Sequence, residues 1–139
     1  MEDYLEAIYN LSGQNRVARS KDIAETLGVS RASVTGALRI LTEKDLINYR
    51  PYGFATLTRS GQAIASAVVE KHNIIMSFFV DVLGVDKEVA QQAACKAEHA
   101  LGSGIVNKLL RFTKYIEDRG RQGDNAADKF KKFCDEDSD

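Results

Sequence analysis

The chain of 139 residues has no tryptophan, one proline, two cysteines and two histidines. The cysteines, Cys95 and Cys134, stand far apart and make no disulfide framework, so reduced thiols and a cytoplasmic setting are expected. No apolar run approaches the roughly 20 residues of a membrane span, and the opening "MEDYLEAIY" is too acidic and amphipathic for a signal peptide. No internal repeat is visible. Charge of one sign is also lacking: the net charge is −1, which argues against a protein that coats nucleic acid uniformly.

What is present is unevenly distributed. Between positions 14 and 72 nine basic residues face five acids, while acids gather at the N-terminus and in the tail "CDEDSD". A basic lobe is diluted by acidic ends. Apolar residues make up 44 % of the chain, enough for a packed core and too many for wholesale disorder.

Tyr4, Leu5, Ile8, Tyr9 and Leu11 recur at helical spacing and predict a helix over 2–12, ended near Gly13. A polar loop, "GQNRVAR", follows. Ser20 is expected to cap a helix carrying Ile23, Ala24 and Leu27. Gly28 supplies a turn, and Ser30 caps a second helix carrying Val34, Leu38 and Leu41. "LINYR" and "FATLT", separated by Pro51-Tyr52-Gly53, read as a hairpin. Helices are then expected over 59–83, with an early irregularity at Gly61, and over 86–101, 103–119 and 125–133, with a frayed tail after Cys134.

Helix, glycine turn, helix and hairpin is the order of a winged helix-turn-helix. Once Val34, Leu38 and Leu41 face inward, Arg31, Ser33, Thr35 and Arg39 remain outside, with small Ala32 and Gly36 among them. Small residues let such a helix sit deep in a major groove, while hydroxyls and arginines reach base edges and phosphates. Arg50, Tyr52 and Arg59 would set the wing on the DNA backbone. The competing reading is a solvated helix face in a protein-interaction domain.

The stretch "CKAEHA" adds a second chemistry. Cys95, Glu98 and His99 stand at i, i+3 and i+4 and share one helix face. Asp3 and Glu6 are i and i+3 on the first helix, and His72 lies in the long helix between. Carboxylates, imidazoles and a thiolate suit a divalent transition metal. Oxygen donors favour Mn(II) or Fe(II), and sulfur pulls toward Fe(II), Co(II) or Ni(II). Each element also has a plainer account: a buried thiol, a surface Glu–His pair, and acids placed favourably at a helix N-terminus.

The texts "EDYLEAIY", "KDIAETLGVSRASVTGALRILTEKDLI", "LTRSGQ", "KH" and "CKAEHAL", in this order over nearly the whole chain, resemble the metal-dependent repressors typified by the diphtheria toxin repressor and the manganese transport regulator. That resemblance implies a mainly α fold, with an N-terminal winged helix-turn-helix domain (1–62) and a C-terminal helical metal-binding and dimerisation domain (63–139). It also implies a homodimer on a double-stranded DNA operator, with no membrane. Longer members add a third, SH3-like domain, for which this chain is too short. Asp3, Cys95, Glu98 and His99 match the activating metal site, with the Cys95 carbonyl as a further ligand. Glu6 and His72 match ligands of a second ion in the manganese-responsive branch.

Two positions depart from the family pattern. The manganese branch has glutamate at Cys95, and the iron branch has methionine at Asp3. The iron branch also pairs His72 with residues that are here Met76 and Gln91, so its ancillary site is not expected in that form. The expected function is a transcriptional repressor sensing Fe(II) or Mn(II), with Co(II) and Ni(II) as substitutes in vitro. The rivals are a metal-independent winged-helix regulator with Cys95 and His99 in its core, and a small metalloenzyme. The latter is disfavoured because the candidate ligands fill a coordination sphere and leave no nucleophile, acid or open position.

Overall fold

A computed structural model describes residues 1–14, 17–50 and 53–137. The chain divides into two compact units, Met1–Val69 and Glu70–Asp139.

In the first unit, α1 (Glu2–Gly13) has Glu2 and Asp3 in its first turn, where carboxylates complement the unpaired N–H groups. It buries Leu5, Ala7, Ile8 and Leu11. The segment read as a polar loop contains a short strand instead, β1 (Ala18–Arg19). A strand of two residues is too short to register as alternation. It forms because β3 offers it a partner.

Helix α2 (Ser20–Leu27) follows directly. Ser20 is not its cap. Arg19 holds that position without a side-chain bond, and the Ser20 hydroxyl lies 3.2 Å from the Tyr49 hydroxyl. Gly28 closes α2 in the left-handed region (φ 66°), which glycine adopts without a Cβ clash. Ser30 caps α3 (Arg31–Glu43) as expected, its Oγ accepting from the Ser33 N–H at 3.1 Å.

β2 (Ile47–Asn48) and β3 (Phe54–Leu57) form the hairpin, and β3 lies between β1 and β2 in an antiparallel sheet. Alternation sets its faces: Ala18, Ile47 and Ala55 are buried, while Arg19, Asn48, Phe54 and Thr56 are exposed. The core joins Leu5, Ile8, Ile23, Val34, Leu38, Leu41 and Ile47 with Ala65 of α4 (Arg59–Ser77). Gly61 brings no irregularity. A Cβ there would lie 1.9 Å from the Leu46 carbonyl oxygen, so its small size lets α4 start against that backbone.

α4 runs into a π-helical turn, Phe78–Val82, where Ser77 Oγ donates to Asp81 Oδ2 at 2.8 Å. The continuous helical stretch Arg59–Val82 has 24 residues and contains an 18-residue window with a mean hydropathy of 1.3, so by length and composition it could cross a membrane. This corrects the expectation that no segment approaches a span. Glu70 and Lys71 sit mid-helix, and Ala65 and Ile75 pack into the cores of the first and second units respectively.

In the second unit, α5 (Lys87–Ala100), α6 (Ser103–Arg121) and α7 (Ala126–Asp137) follow. α7 continues past the predicted end at 133 as far as Asp137, into the tail expected to fray, whose last two residues lie outside the described ones. Ile75, Ala94 and Val106 form the buried cluster, lined by Met76, Phe79 and Leu109. That is a thin core for four helices. Ile105, Phe112, Tyr115, Phe130 and Phe133 remain exposed.

Candidate metal centre and nucleic-acid face

α5 carries Cys95, Glu98 and His99 on adjoining turns, and Glu98 is the one it buries, at 3 % exposure. His72, on α4, is buried beside it. His72 Nδ1 donates to Glu98 Oε2 at 2.8 Å, and His99 Nε2 stands 3.5 Å from Glu98 Oε1. A buried carboxylate is costly unless its oxygens are matched. Here both oxygens face imidazoles.

The second nitrogen of His72 faces the Gln91 amide oxygen, 3.2 Å away. The Gln91 amide nitrogen in turn approaches Cys95 Sγ at 3.9 Å. Gln91 was recognised in the sequence only as a departure from the family pattern. Its place one turn before Cys95 was the available signal, but the contact with His72 needs the packing of α4 on α5. Cys95 and His99 are exposed, contrary to the rival reading that put them in a core. Asp3 is exposed and Glu6 half-buried on α1, in the first unit.

These donors fit a divalent ion. Glu98 can supply two oxygens and the imidazoles nitrogens, whereas Cys95, on the same helix, belongs to no group of three or more such donors within reach of one ion among the described residues. This mixture of hard and borderline donors suits first-row transition metals.

On the first unit, Arg31, Ala32, Ser33, Thr35 and Arg39 are all exposed on α3, while Val34, Ala37, Leu38 and Leu41 are buried. The Ser30 hydroxyl donates to Ser33 Oγ at 2.9 Å, so the Ser33 oxygen accepts there. Thr35 Oγ1 donates back to the Arg31 carbonyl at 3.0 Å. Arg50 is exposed after β2 and Arg59 opens α4, whereas the Tyr52 assignment lies outside the described residues.

Two domain families match the chain. Residues 1–55 match the DNA binding domain of iron dependent repressors, and residues 58–125 match their metal binding and dimerisation domain. An uncharacterized HTH-type transcriptional regulator from Methanocaldococcus jannaschii is 36 % identical over 120 residues, covering 86 % of this chain and 96 % of that protein. The HTH-type transcriptional regulator MntR of Bacillus velezensis is 33 % identical over 118 residues, covering 85 % of this chain and 82 % of that one. Among solved structures, the manganese regulator SloR superposes with a TM-score of 0.71 at 32 % identity over 82 % of this chain. The chain spans about half (53 %) of that structure's length.

Proposed function

The chain belongs to the iron dependent repressor family, and from that premise we propose that it is a metal-activated transcriptional repressor that binds operator DNA as a homodimer in the cytoplasm. The observation that carries this reading is the buried Glu98 carboxylate set between His72 and His99, one turn from Cys95. In this reading Asp3, Cys95, Glu98 and His99 hold the activating ion, and Glu6 and His72 serve a second one. Fe(II) or Mn(II) is the cellular effector. A bound ion supplies positive charge at a point where carboxylates would otherwise repel.

The protein's own part is to prepare the donors. Glu98 is fixed by the His72 hydrogen bond, and Gln91 holds the far side of the His72 ring. To serve an ion, His72 Nδ1 would give up its hydrogen bond to Glu98 and face the metal, while Nε2 donates to the Gln91 amide oxygen, the orientation through a second nitrogen that is common in metal-binding histidines. Asp3 and Glu6 lie on α1, which packs against α2 and β3 of the DNA-reading lobe. Their engagement lowers the cost of reaching the DNA-competent state by favouring that state over others.

The exposed Ile105, Phe112 and Tyr115 of the second unit supply apolar surface for the dimer, which matches two half-sites on DNA.

One observation favours the metal-independent rival: the Glu98–His72 hydrogen bond satisfies a buried carboxylate without an ion. DNA binding measured across a panel of divalent ions decides between the two. The proposed function requires Mn(II) or Fe(II) to raise affinity. No response to any ion would leave the rival.

A further inference from the structure

The start of α2, the first turns of α3 and the residue after β2 enclose a concave pocket of about 530 Å³ on the first unit. Among the described residues three cations line it, Arg19, Lys21 and Arg31, together with three hydroxyls, Ser20, Thr35 and Tyr49. Among the described residues no carboxylate lines it, and none of the three cations makes an ion pair with another described residue. Like charges gathered in one concavity repel, so an acid-free arrangement of this kind is set up for an anion.

The fold brings these groups together from separated segments. β1 pairs Arg19 with Phe54, which turns Ala18 into the core and Arg19 outward. Lys21 follows in the first turn of α2, and Arg31 opens α3. The Ser20 and Tyr49 hydroxyls, 3.2 Å apart, tie α2 to the wing, and either can direct its proton into the pocket. Thr35, bonded back to the Arg31 carbonyl, lines the wall and keeps the pocket continuous with the exposed face of α3.

We propose that this pocket seats one backbone phosphate of duplex DNA, with Arg19 and Lys21 as positioning contacts. Arg31 belongs with them as a phosphate contact, so that Ser33 and Arg39 remain to meet base edges. The inference rests on the DNA-binding function above. A free phosphate shares the chemistry, but the pocket opens onto the helix face assigned to the groove, which favours a phosphate already attached to DNA.

The test uses the full chain at saturating Mn(II) with a labelled duplex of random sequence, titrated over about 50–200 mM salt. Arg19→Ala with Lys21→Ala is expected to flatten the salt slope by about 1 and to weaken binding about tenfold near 0.1 M salt. The exchange Arg19→Lys with Lys21→Arg, which conserves charge, should keep the slope. Arg31→Ala should weaken binding to every duplex alike, whereas Arg39→Ala should weaken some sequences more than others. Both cations of the double variant are exposed, so its melting should match wild type.

If wild type binds duplex and the double alanine variant keeps its slope, the pocket assignment is overturned while the DNA-binding function stands. If wild type binds no duplex, both fail. Inorganic phosphate that shifts the Arg19 and Lys21 amide resonances, with duplex binding unchanged in the variant, would make this a small-anion site and overturn the DNA assignment. An Arg31→Ala loss confined to particular sequences would return Arg31 to base reading.

Discussion

Replacing Glu98 by glutamine separates the two roles assigned to its carboxylate. Glutamine keeps the shape and an acceptor oxygen, so His72 Nδ1 can still donate where it now meets Glu98 Oε2 at 2.8 Å. The fold loses only the difference between a hydrogen bond to a charged acceptor and one to a neutral acceptor, about 1 kcal/mol. For a chain of this length that lowers the Tm by about 3 °C. The loss as a metal ligand is much larger, because the buried oxygens that face His72 and His99 no longer carry charge. At an ion concentration about 100 times Kd, binding stabilises the folded wild type by about 2.7 kcal/mol, or about 8 °C. The assay is therefore a pair of melting curves, with and without Mn(II) or Co(II), for wild type and Glu98→Gln. The variant should melt close to apo wild type and show almost no rise with metal. An unchanged metal-induced rise would refute the reasoning and leave Glu98 as a structural partner of His72. Glu98→Ala is a poorer probe, because it opens a cavity and leaves His72 Nδ1 unmatched at the same time.

Cys95→Ser replaces the soft donor, so Co(II) affinity should fall more than Mn(II) affinity in parallel titrations; equal losses would remove the thiolate from the site. Gly61→Ala would place a methyl 1.9 Å from the Leu46 carbonyl oxygen, a backbone atom that cannot swing aside. It should cost about 1–3 kcal/mol by denaturant unfolding, and a cost near zero would mean that α4 starts elsewhere. Asp124 accepts from Lys129 at 2.9 Å and from Arg119, and these bonds hold its carboxyl below the usual carboxylate range. Because the folded value is depressed, the stabilisation is present above the ordinary carboxylate pKa and is lost as pH falls through the folded value. Amide protection at the α6–α7 junction, taken relative to the intrinsic exchange rate at each pH, should therefore fall in acid in wild type and lose that dependence in Asp124→Asn. Retained acid dependence would assign it to another group.

Local patterns along the chain were enough to specify the reading lobe's helices. Helical spacing of Leu5, Ile8 and Leu11, the left-handed Gly28 and the Ser30 cap are properties of neighbouring residues, and each is found where it was expected. The face shared by Cys95, Glu98 and His99 was legible for the same reason, since i, i+3 and i+4 are neighbours on any helix. Tertiary structure alone decided the rest. β1 exists because β3 offers unpaired backbone groups, and that pairing turns Arg19 from a loop residue into the wall of a cationic pocket. Ser20 stands where a cap would be read, yet its hydroxyl goes to Tyr49, a partner 29 residues away. The π-helical turn at Phe78–Val82 leaves no trace in the periodicity. On α5 the sequence placed three donors on one face, but it could not say which of them would be buried. Packing against His72 of α4 buried Glu98 and left Cys95 and His99 at the surface, because burial is a property of what lies opposite a side chain and not of its own neighbours in the chain.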